Sequence, residues 1–389
     1  MALSSGTVDD AERSLGGRAV PLRVAIVNWR DPWQRAAGGA ELYAWRMAEQ
    51  LRNRGAAVTF VTGREPGQAR RETRDGIRIV RMGGVYSRYP LVLGWLLRHR
   101  NAFDVAIDCM NGIPFLSPLA LAPKTKIILL VHHVHEQQFS VYFGRFLAAV
   151  GRTVEGPIAR RIYRGRPTVA VSASTAFAMR GRLRWAGPLY IVPNGAPAPV
   201  PHPSGTAAGS PSLVCVGRLV AHKRVEELID ATAALRADHP GVHLHIVGRG
   251  EEHDALAARI AELDLAGHVT LHGYLPEHVK DALLAGADLH LSASRHEGWG
   301  LSVIEAAAHG LPTVAYDVDG LRDAIRDGET GWLAAPEEDL ADAVRRALKD
   351  LKARGPEFHA ACRAWAGRFT WEASGDRMHR LIMDDLDAF

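Results

Sequence analysis

Leu22-Arg-Val-Ala-Ile-Val-Asn28 is a run of mostly apolar residues without alternation, and residues 38–54 after it place Ala40, Ala44, Met47, Ala48 and Leu51 on one helical face. A strand buried on both faces reads this way, because crossover helices cover both sides of a parallel sheet. Gly55 stands where a helix ends in left-handed backbone. The same alternation recurs, with strand candidates at 57–62, 104–108, 126–132, 168–171 and 189–192. The chain then becomes APAPVPHPSGTAAGSPS over 196–212, a polar Pro/Gly/Ser-rich linker and a domain boundary. Beyond it the pattern restarts: SLVCVGRL (212–219) reads as strand and turn, 223–237 as helix, 243–247 as strand and 252–263 as helix. Strands near 269–272, 288–291 and 313–316 follow. The fold class expected is α/β, with two doubly wound Rossmann-like domains over 21–195 and 213–365 facing across a cleft. Residues 1–20 read as a disordered polar tail, and 366–389 hold a last helix (370–386) that crosses back to the first domain. No repeat of 20–50 residues is evident.

Composition agrees with such a chain. Of 389 residues, 47% are hydrophobic and 23% charged, which suits a globular protein with a substantial core. Cys109, Cys215 and Cys362 are scattered without a C-x-x-C pair, which argues for a reducing compartment and against a zinc site. No apolar stretch approaches the roughly 18–20 residues that span a bilayer, and residues 1–20 lack a secretory pattern. A cytoplasmic location is expected. The net charge of +4 conceals an asymmetry: residues 1–195 carry 28 Lys+Arg against 13 Asp+Glu, and 196–389 carry 19 against 30. Opposite signs suit two domains with different partners, although drift of surface composition would give the same count.

Ligands in doubly wound sheets sit outside the carboxyl ends of the strands. There the stretch Ser292-Ala-Ser-Arg-His-Glu-Gly-Trp-Gly-Leu-Ser-Val-Ile-Glu305 takes a strand through a glycine-containing loop into a helix starting near Leu301. Loop and helix-end amides around Gly298, Gly300 and Leu301 offer positive partial charge to an anion. Glu297 and Glu305 can each grip a pair of sugar hydroxyls, which suits a ribose and a transferred hexose; a helix cap gives acidic residues at this spacing too. In Val216-Gly217-Arg218-Leu219-Val220-Ala221-His222-Lys223-Arg224, Gly217 permits a tight turn and Arg218 and Lys223 can converge on one anion, with Arg224 as an exposed spare. Taken alone, such cations also fit a solvated face. The strand at 126–132 ends in His132-His133-Val134-His135, but successive strand side chains point to opposite faces, which disfavours a metal cluster. The loop from Trp29 to Ala37 before Gly38-Gly39 is a candidate acceptor element, with Trp29, Arg30, His133 and His135 the candidate contacts. Six arginines and one acid share 145–166 with apolar residues, a pattern for an anionic membrane surface or for a snorkelling solvent face.

Taken in order, E-G-W-G-L-S-V-I-E-A-A-A-H-G-L-P-T-V-A from Glu297, G-R-L-x-x-x-K from Gly217, and V-P-N-G from Val192 resemble the family-4 retaining glycosyltransferases of GT-B architecture. The resemblance covers nearly all of 22–386. It implies transfer of a hexosyl group from a nucleoside diphosphate sugar, UDP or GDP, to a hydroxyl acceptor, with no metal and no further cofactor. It implies that Glu305 grips the ribose, Glu297 the donor sugar, and Arg218 with Lys223 the diphosphate, while His132, or His133 next to it, points at the donor. It further implies that the Gly38-Gly39 amides approach the phosphates, that Gly248 lies near the nucleotide, and that Tyr274-Leu275 run along the base edge. The reaction expected is front-face attack, the departing phosphate taking the acceptor proton. Nucleic acid is not an expected partner. Two other classes share the α/β pattern: a nucleotide-binding oxidoreductase, for which no G-x-G-x-x-G follows an early strand, and a non-catalytic sugar-nucleotide binding protein.

Overall fold

The computed structural model describes residues 21–135, 144–200 and 210–388; the expected tail at 1–20 and residues 201–209 of the expected linker lie outside the described residues. Eight strands form the first sheet: β1 (Arg23–Val27), β2 (Ala57–Thr62), β3 (Arg71–Arg74), β4 (Ile77–Arg81), β5 (Val105–Asn111), β6 (Lys126–His133), β7 (Thr168–Ala170) and β8 (Leu189–Ile191). Their order is β3-β4-β2-β1-β5-β6-β7-β8, parallel except for the β3–β4 pair. The second sheet holds β9 (Ser212–Val216), β10 (His243–Val247), β11 (Val269–Gly273), β12 (Leu289–Ser292), β13 (Thr313–Tyr316) and β14 (Gly331–Ala334). It is parallel throughout, in the order β11-β10-β9-β12-β13-β14. The helices are α1 (Gly39–Asn53), α2 (Arg88–Arg98), α3 (Arg145–Thr153), α4 (Ala159–Ile162), α5 (Ala173–Gly181), α6 (Val225–Leu235), α7 (His253–Glu262), α8 (Glu277–Gly286), α9 (Leu301–Ala308), α10 (Leu321–Ala324), α11 (Leu340–Ala366) and α12 (Trp371–Ile382).

Both sheets are covered on two faces, as the unalternating apolar strands require. Val24 and Ile26 of β1 pack with Tyr43, Met47 and Leu51 of α1, whereas Ala25 and Val27 join Val92 and Leu96 of α2 on the other side. The first of these cores runs on into Trp299, Val303 and Ile304 from the second half, so the two halves share apolar packing. The final helix α12 lies along α1. A Cβ on Gly375 would come within 2.6 Å of the Gln50 Cβ, so a glycine permits this approach. Tyr43 meets Trp371 edge-on at 6.0 Å, and the Ser374 hydroxyl donates to the Pro193 carbonyl at 2.6 Å.

Three elements differ from the sequence reading. The β3–β4 hairpin and β14 were not expected. β3 is an edge strand of sequence RETR, too charged to show a buried pattern, and its turn uses Asp75 and Gly76 at φ 48° and 74°, the left-handed pair that a two-residue hairpin needs. β14 has only four residues and opens on a glycine. The helix expected from 223 begins at Val225, because a 3-10 turn fills Ala221–Lys223 and Arg224 sits at φ 48°.

Each sheet reverses its winding at one place. In the first this lies between β1 and β5, and in the second between β9 and β12. Loops leaving the two strands diverge there and open a crevice. Asn28 at the end of β1 and Asn111 at the end of β5 span the first crevice, the Asn111 amide donating to the Asn28 oxygen at 2.9 Å. The turn at Gly217 and the loop 293–300 leave the strands flanking the second.

Candidate active site

The loop after β12 ends on Gly300, whose φ of 78° is left-handed backbone that a side chain would strain, and α9 starts immediately afterwards. Within this loop Glu297 forms an ion pair with Lys223 and accepts from the Ser294 hydroxyl at 2.9 Å. Burial alone would raise the Glu297 carboxyl; the Lys223 ammonium and the two hydrogen bonds outweigh it and hold the group below its ordinary range. Glu305, in the second turn of α9, meets a different cation. Lys280 of α8 donates to it at 3.1 Å and contacts Glu277 at 2.7 Å. Burial raises the Glu305 carboxyl above its ordinary range, Lys280 opposes this, and Glu277 and Asp281 add to it.

The turn after β9 lies against the turn after β10. A Cβ on Gly248, at φ 150°, would fall 1.7 Å from the Gly217 carbonyl oxygen, so the two backbones can touch only because position 248 is glycine. Arg218 and Lys223 have different neighbours in this arrangement. Lys223 is drawn to Glu297, whereas the Arg218 side chain reaches across to the first half, its Nε 3.4 Å from where a Cβ on Gly38 would be. Arg224 is not an exposed spare. Its Nε donates to the Ala293 carbonyl at 2.9 Å, its guanidinium lies 4.6 Å over Tyr316, and it pairs with Glu227 at 2.9 Å. The left-handed backbone at 224 turns the side chain back onto the strand ends.

From the first half, α1 presents its amino end at the same place. The Gly38 amide donates to Glu41 at 2.7 Å, an N-terminal capping contact that engages this amide within the helix. The first-turn amides from Gly39 onward have no carbonyl four residues back and are free to face an anion. Gly39 faces Leu301 of α9, with a Cβ there 3.5 Å from the leucine side chain. A Cβ on Gly298 would lie 2.0 Å from the His132 carbonyl oxygen, so the approach of the two halves at this point requires glycine. Thr175 donates to the Gly298 carbonyl at 3.2 Å, the Ser174 amide to Asp323 at 2.8 Å, and Arg182 pairs with Asp319 at 3.1 Å.

His132 is buried edge-on to Tyr43, ring centroids 5.1 Å apart, and its Nε2 finds no hydrogen-bond partner among the described residues. Burial, helped by His135, pushes its imidazole down to about 3, so it is neutral across the physiological range. His133 and His135 stand 5.2 Å apart, and His296 from the second half faces His133 at 6.1 Å. The His135 amide donates to the fully buried Glu155 at 2.6 Å. Arg30 stacks on Trp29 at 4.0 Å and stands 3.9 Å from Glu41, close to the Arg218 side of the cleft. At the far end, Tyr274 is exposed, with Arg249 5.4 Å over its ring, and Leu275 packs under α8. Among the described residues, no three His, Cys, Asp or Glu side chains gather as a metal site.

Sequence reading missed Lys280, Ser294, Thr175 and Glu41. Glu41 and Ser294 act locally, one an acid three residues after a helix cap and the other three residues before Glu297, whereas Lys280 and Thr175 act across 25 and 123 positions of chain.

Comparison with known proteins agrees with this fold. Residues 37–198 match the family described as Glycosyltransferase Family 4, and residues 201–357 match Glycosyl transferases group 1. Glycogen synthase of Mycobacterium tuberculosis is 36% identical over 166 residues, 42% of this chain and 40% of that protein. D-inositol 3-phosphate glycosyltransferase of Nocardia farcinica is 37% identical over 179 residues, covering 42% and 39%. The chain thus spans about half or less of the length of the curated relatives it matches. Among solved structures, sucrose-phosphate synthase of Thermosynechococcus elongatus superposes with a TM-score of 0.79 at 21% identity, over 93% of this chain and 98% of that one. Anabaena HepE in complex with UDP and glucose gives 0.69 at 18%, over 93% and 100%. With both halves matched and the fold shared over 93% of the chain, the chain belongs to the family-4 glycosyltransferases of GT-B architecture.

Proposed function

We propose that this chain moves a hexosyl group, with retention, from a UDP or GDP sugar held by its second half to a hydroxyl of an acceptor bound by its first half. The observation that carries this is a pair of contacts beside the winding reversal of the second sheet: Lys223 holds Glu297, and Arg218 from the same turn reaches across the cleft to Gly38 at the amino end of α1. The bond from the anomeric carbon to phosphate breaks while the acceptor oxygen bonds to the same face of that carbon, and its proton passes to the departing phosphate. Arg218, Lys223 and the α1 amides stabilise the charge that develops on the phosphate, with no metal required. Glu305 accepts from the ribose hydroxyls and Glu297 from the sugar. The complex of Anabaena HepE with UDP and glucose supports a nucleoside diphosphate as the donor's handle. Family membership favours this reading over a nucleotide-binding oxidoreductase.

The test is thermal stability against UDP, GDP and their sugars. A ligand at 100 times its Kd is expected to stabilise by about 2.7 kcal/mol. Glu305→Ala is expected to lose about 1–3 kcal/mol of that binding, as for hydrogen bonds to a charged group. Unchanged nucleotide affinity in the folded variant would remove Glu305 from the ribose.

We also propose a peripheral membrane contact that brings a lipid-linked acceptor to the first half. Phe146, Leu147 and Val150 on α3 are exposed, Phe146 by 78%, while Ala148 and Gly151 face inward. Arg145 and Arg152 flank this apolar face, and Arg161 and Arg164 follow. A helix with an outward apolar stripe between arginines suits an interface with anionic lipid. Among the described residues no helix is long and apolar enough to cross a membrane. Flotation with anionic vesicles at low salt is expected, with release at high salt and a marked drop for Phe146→Ser/Leu147→Ser. No flotation with anionic vesicles at low salt would favour a soluble acceptor.

A further inference from the structure

Lys280 enters none of the roles above. It belongs to α8, which begins directly after the Tyr274-Leu275-Pro276 segment at the end of β11, and its ammonium lies between Glu277 and Glu305. Glu277 is largely exposed, but the Lys280 and Glu305 side chains are each only 12% exposed. An exposed Glu–Lys pair one turn apart contributes a few tenths of a kcal/mol and little else. A lysine held inside against a buried carboxylate is different.

We infer that Lys280 is a positioning residue of the nucleotide site: it fixes one oxygen of Glu305 and keeps the carboxylate ionised, so that Glu305 accepts from both hydroxyls of the ribose. The inference rests on the reading of Glu305 as the ribose ligand. A carboxylate accepts two hydroxyl donors at once, whereas a protonated carboxyl has given up part of that capacity and donates instead. Burial favours the protonated form of Glu305, and so do the neighbouring carboxylates of Glu277 and Asp281. Among the described residues acting most strongly on Glu305, Lys280 opposes them, and its own ammonium is kept charged by Glu305 and Glu277. His309, at the end of α9, faces Asp281 at 3.2 Å, and its imidazole is lowered by burial. From α11, packed along α9, His359 is bonded to the Gly310 carbonyl at 2.7 Å. The geometry thus ties the charge of the ribose ligand to a cation from the helix that follows the base-edge segment.

The experiment compares binding of UDP and 2′-deoxy-UDP, and of GDP and 2′-deoxy-GDP, by calorimetry from pH 5.5 to 8.5. The proteins are wild type, Lys280→Met, Lys280→Gln, Lys280→Arg and Glu305→Gln. Wild type is expected to prefer the ribonucleotide by about tenfold near neutral pH and above, the equivalent of one good hydrogen bond, with the preference falling only on acidification. Lys280→Met and Lys280→Gln are expected to bring that ratio down toward the Glu305→Gln value near neutral pH, with 2′-deoxy affinity little changed. The ratio should recover as the pH rises through the Glu305 pKa, and Lys280→Arg should keep it. Equal losses for ribo- and deoxynucleotide, or a wild-type ratio in both Lys280→Met and Lys280→Gln while Glu305→Gln abolishes it, would overturn the inference and leave the ribose assignment standing. A ratio unaffected by Glu305→Gln would remove the ribose assignment itself, and Lys280 with it.

Discussion

Arg218→Ala is expected to lower turnover on the order of 10²–10³-fold while moving nucleotide affinity far less, as when one preorganised donor to a developing charge is lost. The side chain crosses to Gly38 at the amino end of α1, so it stands where the two halves can share a phosphate. A diphosphate gains charge at its terminal oxygen only as the glycosidic bond breaks, so a cation there acts more on the transition state than on the bound donor. Lys223→Ala should behave differently, because Lys223 also neutralises Glu297. Its removal leaves a carboxylate that burial pushes toward the neutral acid. The Glu297 pKa then rises, and activity that needs the carboxylate is lost at a higher pH on the way down. The acid limb of the kcat/KM profile should therefore shift upward in Lys223→Ala and stay in place in Arg218→Ala. Steady-state kinetics with whichever nucleotide sugar stabilises the protein would show this, with and without EDTA. A raised KM at constant kcat in Arg218→Ala, or a strict need for added divalent metal, would contradict the role assigned.

Why the sequence discloses Arg218, Lys223 and Glu297 but not the pairing of the last two follows from where the information lies. The strands read clearly because burial on both faces leaves long apolar runs, and a turn after them reads clearly where glycine is needed for backbones to touch, as at Gly248 against the Gly217 carbonyl. A strand end, a glycine and a charged residue form a local pattern. The pairing of Lys223 with Glu297 joins positions 74 residues apart, and that of Lys280 with Glu305 joins helices separated by β12. Neither leaves a mark at short range. Arg224 shows the opposite failure: beside Lys223 it reads as a surplus surface cation, yet the 3-10 turn sets its backbone left-handed and points it inward to Ala293. Edge strand β3 was hidden by its charge, which edge strands carry for solubility.

The same limit applies to the loop from Trp29 to Ala37, which the sequence marks only by its length. Its anchor is a buried pair: Arg81 Nε donates to Asp31 at 2.5 Å, and both side chains are at most 2% exposed. Arg81 also donates to Glu72 at 2.7 Å and to the Ala69 carbonyl at 3.2 Å. Asp31 accepts from the Trp33 amide at 3.1 Å, and Gln34 bonds the Gly63 carbonyl at 2.8 Å. Arg81→Met leaves the Asp31 carboxylate buried without its cation, which costs about 3–5 kcal/mol in comparable cases. At roughly 2–4 °C per kcal/mol for domains of this size, melting should fall by about 6–20 °C. The double variant Asp31→Asn/Arg81→Met should recover much of the loss, because it removes the stranded charge and not merely its partner. The loop delivers Arg30 to the cleft and leads directly into Gly38, so the single variant should also raise the acceptor KM more than it lowers donor affinity. A melting point within 2 °C of wild type for Arg81→Met would show that the loop is held by its apolar contacts instead, Trp33 against Trp45 at 4.8 Å foremost among them.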